Sequence, residues 1–149
     1  MNFDCVLPNL YVGSDPRDPE DFRKLKSAGV TAILGLQCDD ERANGGIERE
    51  RADANEAGLL FHGIPVMDFD TRCLERKLPD CVEALDSMLK QGQNVYIHCT
   101  AGTTRSPTVA AAYLHRRMGW PLQKSLAHLR TVRQCTPNWQ AIRRVPWAG

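Results

Sequence analysis

The sequence predicts an α/β fold, a single domain built on a mainly parallel central sheet flanked by helices. Three observations carry that expectation. Short apolar runs of strand character alternate with helical patterns from end to end, an order that puts helices on the faces of a parallel sheet. The 149 residues suit one domain, since domains most often run to about 100–150 residues. Apolar residues make up 42% and charged residues 25%, ordinary values for a chain that buries a core. No run approaches the roughly 18 apolar residues of a membrane span, and no internal repeat appears. A membrane protein, a coiled coil and a disordered chain are therefore set aside.

The elements follow in order. Cys5–Val12 is expected as a strand, and Pro8 within it marks an edge strand, where a missing N–H costs least. Pro19–Ala28 is expected as a helix, with Asp18 placed to cap it, Pro19 suited to its first turn and Gly29 as its stop. Val30–Leu36, VTAILGL, reads as a buried strand. Ile47–Ala57 reads as a charged surface helix ended by Gly58, and Leu59–Val66 as the next strand. Residues 67–78, MDFDTRCLERKL, show no clear period and read as a loop. Pro79–Gln91 places Val82, Leu85 and Leu89 on one helical face and ends at Gly92. Asn94–His98 reads as a strand. A helix from Arg105 or Ser106 to Met118 is apolar nearly all round, which places it centrally. Pro121–Arg133 is a further helix with Leu122, Leu126 and Leu129 inward, and a short last turn covers Pro137–Arg144.

Charge is uneven although the net is only +1. All 18 acidic residues and 10 of the 19 basic ones precede residue 87, and the rest of the chain contains no acid. Such asymmetry suggests an anionic ligand held by the C-terminal half. No dense Lys/Arg stripe with interleaved aromatics appears, so nucleic acid is not an expected partner, and neither is a membrane. The N-terminal MNFDCVLPNL has neither a basic nor an apolar signal region. A cytoplasmic, reducing setting is expected, with free thiols at positions 5, 38, 73, 81, 99 and 135. None of them forms a C-x-x-C pair, so no metal site and no cofactor is expected.

One segment carries chemistry. His98-Cys99-Thr100-Ala101-Gly102-Thr103-Thr104-Arg105-Ser106 follows a strand and opens a helix. Five small residues separate the cysteine from the arginine. They let the backbone curl until the N–H groups of Thr100, Ala101, Gly102, Thr103 and Thr104 point inward, a phosphate-sized nest at a helix N-terminus. Arg105 adds a planar fork for two phosphate oxygens. The same donors favour the thiolate of Cys99, the nucleophilic form of a cysteine.

HCTAGTTRSP resembles the signature loop of cysteine-dependent dual-specificity phosphatases, within the protein tyrosine phosphatase superfamily. The resemblance covers most of the chain: NLYVGS at 9–14, the segment Gly29 to Leu34, the Asp68 loop, NVYIHC and Pro137-Asn138 stand in the family order. MDFDTRCLERKLP, HCTAGTTRSP and RQCTPNWQAIR are similar to stretches of laforin-like and plant-type glucan phosphatases. The resemblance implies a dual-specificity phosphatase-like fold over 1–149 and a two-step, metal-independent reaction. Cys99 attacks phosphorus to form a phosphocysteine, a carboxylic acid protonates the leaving oxygen, and water then hydrolyses the intermediate. Loop amides and Arg105 meet the charge on the equatorial oxygens.

The acid candidates are Asp68 and Asp70. The family pattern places the acid six residues before a leucine that leads to the next helix, and Asp68 with Leu74 satisfies it. Asp70 is expected to brace the loop by bonding a nearby amide. Ser106 is expected to bond the Cys99 sulfur and help it leave; its plainer alternative is a helix cap. His98 is expected to hydrogen-bond within the core and support the loop. Asn138 matches a family asparagine that braces the loops. Trp120, Trp139 and Trp147 read as packing residues, whereas Phe69, beside the acid, is better placed to touch substrate.

Two departures bear on substrate. Thr104 stands where glucan phosphatases have Gly, and Asn44-Gly45 stands where they carry an aromatic pair for stacking on sugar. A carbohydrate-binding module is not expected here. Phosphoproteins, at tyrosine, serine or threonine, are therefore the first expectation and phosphorylated glucan the alternative. A catalytically silent module that only binds phosphorylated partners is less favoured, because a binder has no need of Cys99 together with Arg105 and Asp68. Rhodanese-like sulfur transfer is less favoured still, since it needs neither the arginine nor the upstream acid. The sequence assigns no oligomeric state.

Overall fold

Ala32–Gly35 and Val95–His98 are buried at every position. Runs this apolar cannot face water on either side, and they become adjacent inner strands. The computed structural model describes residues 1–148. Its strands are β1 (Phe3–Leu7), β2 (Leu10–Gly13), β3 (Ala32–Gly35), β4 (Leu60–Gly63) and β5 (Val95–His98), in the order β1-β2-β5-β3-β4. β2, β5, β3 and β4 run parallel, and β1 alone is antiparallel to its neighbour.

Among the described residues, six α-helices cover the two faces: α1 (Pro19–Ser27), α2 (Gly46–Glu56), α3 (Thr71–Lys90), α4 (Arg105–Arg116), α5 (Leu122–Val132) and α6 (Trp139–Arg144). The side chains of β3 and β5 alternate between the faces, as strand geometry requires. Ile33 and Tyr96 join Phe22 and Leu25 of α1 and Ala54 of α2. Ala32, Leu34, Val95 and Ile97 pack on the other side with Leu85 of α3, Val109 and Ala111 of α4, and Leu129 of α5. As expected, α4 is the central helix, with Arg105 to Ala112 buried without interruption. No described helix is long and apolar enough to cross a membrane.

Two expectations are corrected. The expected strand Cys5–Val12 is a hairpin: β1 and β2 meet at Leu7 and Leu10 across Pro8-Asn9. Pro8 has no N–H to give a ladder, so the chain turns there. β1 nevertheless lies at the sheet edge. The expected loop over 67–78 is mostly helix, for α3 starts at Thr71 and runs 20 residues through Pro79. Asp70 caps it, its Oδ1 accepting the Cys73 amide at 2.9 Å. Leu74 and Leu78 extend the stripe of Val82, Leu85 and Leu89, and all five are buried. Each such burial is worth roughly 1.5–3 kcal/mol, so the five together outweigh the roughly 3 kcal/mol of one interior proline. A 3-10 turn at Asp39–Glu41 had no counterpart among the expectations.

Candidate active site

The carboxyl ends of three parallel strands coincide, because Gly13 of β2 and Gly35 of β3 both pair with His98 of β5. Ligands of open α/β sheets bind at such ends. The loop from Cys99 to Thr104 leaves β5 here and enters α4 at Arg105. None of the backbone N–H groups from Thr100 to Arg105 donates to a protein acceptor among the described residues. The loop is therefore a set of unspent donors at a helix N-terminus. Gly102 sits at φ 71°, and a Cβ there would strike the Gly13 backbone and come within 2.5 Å of Arg133 Nη2. Only glycine suits both the backbone angle and the space.

Cys99 is buried at 3% exposure, and its sulfur lies 3.3 Å from the Ser106 hydroxyl. Ser106 thus reaches the sulfur, and its side chain caps no helix amide among the described residues. Arg105 is held from below. Its Nη1 donates to Glu41 Oε2 at 2.9 Å and to the Val66 carbonyl at 2.8 Å, and its Nη2 to Glu41 Oε1 at 2.7 Å. Nε has no protein acceptor among the described residues. Burial disfavours the charge of Glu41. Bonds from Arg105, the Cys38 amide and the Thr100 hydroxyl outweigh that and hold its carboxyl below the usual range. Burial likewise works against the Arg105 cation, and Glu41 and Cys99 more than restore it.

Asp68 and Asp70 separate by geometry. Asp68 Oδ2 lies 3.2 Å from Arg105 Nη2, and its side chain is about a third exposed (36%). Asp70 is the helix cap described above. Between them Phe69 is fully exposed (100%) at φ 60°, a backbone region that non-glycine residues seldom adopt. Met67, Asp68, Phe69, Thr104, Arg105 and Asn138 line a cleft of about 90 Å³.

Several contributors lie far away in the chain. Arg133 donates through Nε to the Gly102 carbonyl at 2.7 Å and through Nη2 to the Ala101 carbonyl at 3.0 Å, while Nη2 also donates to Asn2 Oδ1 and Nη1 to Asp4 Oδ2. Gln37 donates to the Thr100 hydroxyl at 2.9 Å. The expected brace at Asn138 acts through its backbone, whose N–H donates to the Thr108 hydroxyl at 2.8 Å; that hydroxyl donates to the Thr104 carbonyl at 2.6 Å. The Asn138 side chain caps α6 instead. The Thr136 amide holds the Thr103 carbonyl at 2.8 Å. His98 is wholly buried and meets Glu50 of α2. Local pattern marks none of Arg133, Glu41, Gln37 or Glu50, because each partnership forms only on folding. Among the described residues, no group of three His, Cys, Asp or Glu side chains could hold a metal ion.

A cysteine at the floor of a loop of free amides, closed by an arginine, defines a class. The chain belongs to the dual specificity phosphatase catalytic domain family, whose model matches residues 10–145. Among curated relatives, it is 32% identical over 149 residues to the chloroplastic phosphoglucan phosphatase LSF1 of Arabidopsis thaliana, covering 99% of this chain and 25% of that protein. It is 33% identical over 137 residues to laforin of Mus musculus, covering 83% of this chain and 42% of laforin. The chain thus spans less than half the length of these relatives. Its fold matches the crystal structure of Tk-PTP in the active form, with a TM-score of 0.79 at 21% identity, over 96% of this chain and 92% of the other.

Proposed function

We propose that this chain hydrolyses phosphomonoesters in two steps through a phosphocysteine at Cys99. One observation carries the reading. The Cys99 sulfur, the Ser106 hydroxyl at 3.3 Å, the Arg105 guanidinium and the Asp68 carboxyl meet at a loop whose amides are free. The phosphoryl oxygens would take the amides of Thr100 to Thr104 and the Arg105 fork. The Cys99 thiolate forms the S–P bond as the ester P–O bond breaks, and the leaving oxygen takes a proton from Asp68. Asp68, now a carboxylate, takes a proton from water; the water oxygen attacks phosphorus and the S–P bond breaks. Ser106 donates to the departing sulfur.

Phosphorylated glucan is the substrate class best supported. Phe69 stands fully exposed next to Asp68, held out by an uncommon backbone angle, and such a ring offers a face to a sugar. A relative named phosphoglucan phosphatase that covers 99% of this chain points the same way. This reverses the order expected from Asn44-Gly45. That pair favours the second reading, phosphoprotein, because it puts a left-handed turn rather than an aromatic face on the Glu41 side of the site. The test is parallel phosphate release from phosphorylated amylopectin and from phosphotyrosine and phosphothreonine peptides. Amylopectin is expected to be the better substrate, and Phe69→Ala to slow it more than the peptides. Faster release from either peptide by the wild type would overturn the glucan reading and leave the chemistry standing.

A further inference from the structure

Both ring nitrogens of the buried His98 face acceptors. Nδ1 lies 3.0 Å from the Cys99 carbonyl oxygen, which can only accept. Nε2 meets Oε2 of Glu50, a residue 1% exposed on α2. A neutral imidazole has one N–H and would leave one of these contacts without a proton. Two arrangements satisfy both contacts: an imidazolium beside a Glu50 carboxylate, or a neutral ring beside a protonated Glu50. Arg42 decides between them. Its Nη1 is 3.5 Å from the other Glu50 oxygen, and its side chain is only 7% exposed. A buried guanidinium at that distance favours the carboxylate.

We infer that Glu50 is a positioning residue that keeps His98 as a buried imidazolium, and that this charge, fixed on the residue before the nucleophile, favours the Cys99 thiolate. The inference rests on the reading of Cys99 given above. It gives α2 a part in the chemistry although α2 lines no part of the cleft around Asp68.

Among the described residues, Arg42 is the one further charged side chain that pairs with His98 or Glu50. The Tyr96 ring stacks on the imidazole at 5.9 Å, and its hydroxyl donates to the Ser14 carbonyl. On β3, Gly35 leaves room for the ring, since a Cβ there would lie 3.1 Å from Nε2. Asp15, on the segment after β2, lies 4.0 Å from Arg42 and is shared with Gln37 and Arg17. Gln37 and the Pro16 carbonyl also hold the Arg42 guanidinium. Arg105, Glu41 and Asp68, the other charges close to Cys99, pair among themselves through the guanidinium.

The experiment uses the full chain with nitrogen-labelled histidine. At pH 8 an ordinary imidazole, titrating near about 6.5, has lost one ring proton. Proton–nitrogen correlation spectra of the wild type are expected to show protons on both ring nitrogens of His98 at that pH. Glu50→Gln is expected to show one, because the new amide N–H can donate to Nε2 while Nδ1–H keeps the Cys99 carbonyl. The second readout is the pH dependence of Cys99 alkylation by iodoacetamide. In Glu50→Gln its midpoint should move up, so that alkylation below the midpoint slows about three- to tenfold. The sign discriminates: were His98 to stay charged in the variant, loss of the carboxylate would move the midpoint down. A singly protonated His98 in the wild type, or an unmoved or lowered midpoint in the variant, overturns the inference. Should Glu50→Gln fail to fold, the wild-type spectrum alone decides. Turnover of p-nitrophenyl phosphate by Cys99→Ser, run alongside, tests the nucleophile separately. Its loss together with an unmoved midpoint sinks only the role of Glu50.

Discussion

At Asp70 the carboxylate is committed to the backbone, since Oδ1 accepts the Cys73 amide at 2.9 Å and starts α3. Two residues earlier the same side chain faces the cleft, with Asp68 Oδ2 3.2 Å from Arg105. The difference makes a prediction in leaving-group chemistry. A nitrophenolate departs with little help, whereas an alkoxide needs a proton. Asp68→Asn should slow alkyl phosphates by about 10²–10⁴-fold, the usual worth of a general acid, and p-nitrophenyl phosphate far less. Asp70→Asn keeps a good cap and should show a small loss that does not depend on the leaving group. Rate constants for both variants across phosphate esters of graded leaving-group pKa check this. A steeper dependence in the Asp70 variant would move the acid there.

The Asp39–Glu41 turn and the loop around it hold the Arg105 fork in place, and they do so through one ionised carboxylate. Burial opposes that charge, but Arg105, the Cys38 amide and the Thr100 hydroxyl together lower the Glu41 carboxyl's pKa in the folded state. The sign comes from linkage. A group depressed on folding adds stability that is fully present above its unfolded pKa, about 4.3 for Glu, and lost as pH falls through the lower folded value. Urea denaturation from pH 6 to pH 2.5 should therefore show a shallower acid loss in Glu41→Gln than in the wild type. Glu41→Gln should also lower kcat/KM by loosening the guanidinium. Parallel acid profiles for the two proteins would contradict the assignment of Glu41.

Across the whole molecule, β2, β3 and β5 end together, and the segments leaving those ends meet at one point: Asp15 after β2, Gln37 and Glu41 after β3, Cys99 to Arg105 after β5. The sheet class and the anion-sized loop from Cys99 to Arg105 were legible in the sequence, because both are local. Strand runs such as VTAILGL cannot be exposed, and C-x5-R between a strand and a helix has few other uses. The family pattern that the loop resembles also favours Asp68 over Asp70 as the acid, by the six-residue step to Leu74. The sequence misplaced the start of α3 because Pro79 is a strong helix-start signal, and only tertiary burial of Leu74 and Leu78 overrides it. It could not name Glu41, Glu50 or Arg133, whose partners lie 64, 48 and 31 residues away in the chain.

The central claim is covalent chemistry at Cys99, and trapping the intermediate tests it most directly. In Asp68→Asn an aryl phosphate should still phosphorylate the enzyme, because its leaving group needs little help, while hydrolysis of the intermediate slows for want of a base. Rapid acid quench and peptide mass spectrometry should then find phosphate on the peptide that carries Cys99, and none in Cys99→Ser. Phosphate on another residue, or Cys99→Ser turning over p-nitrophenyl phosphate at the wild-type rate, would contradict the account.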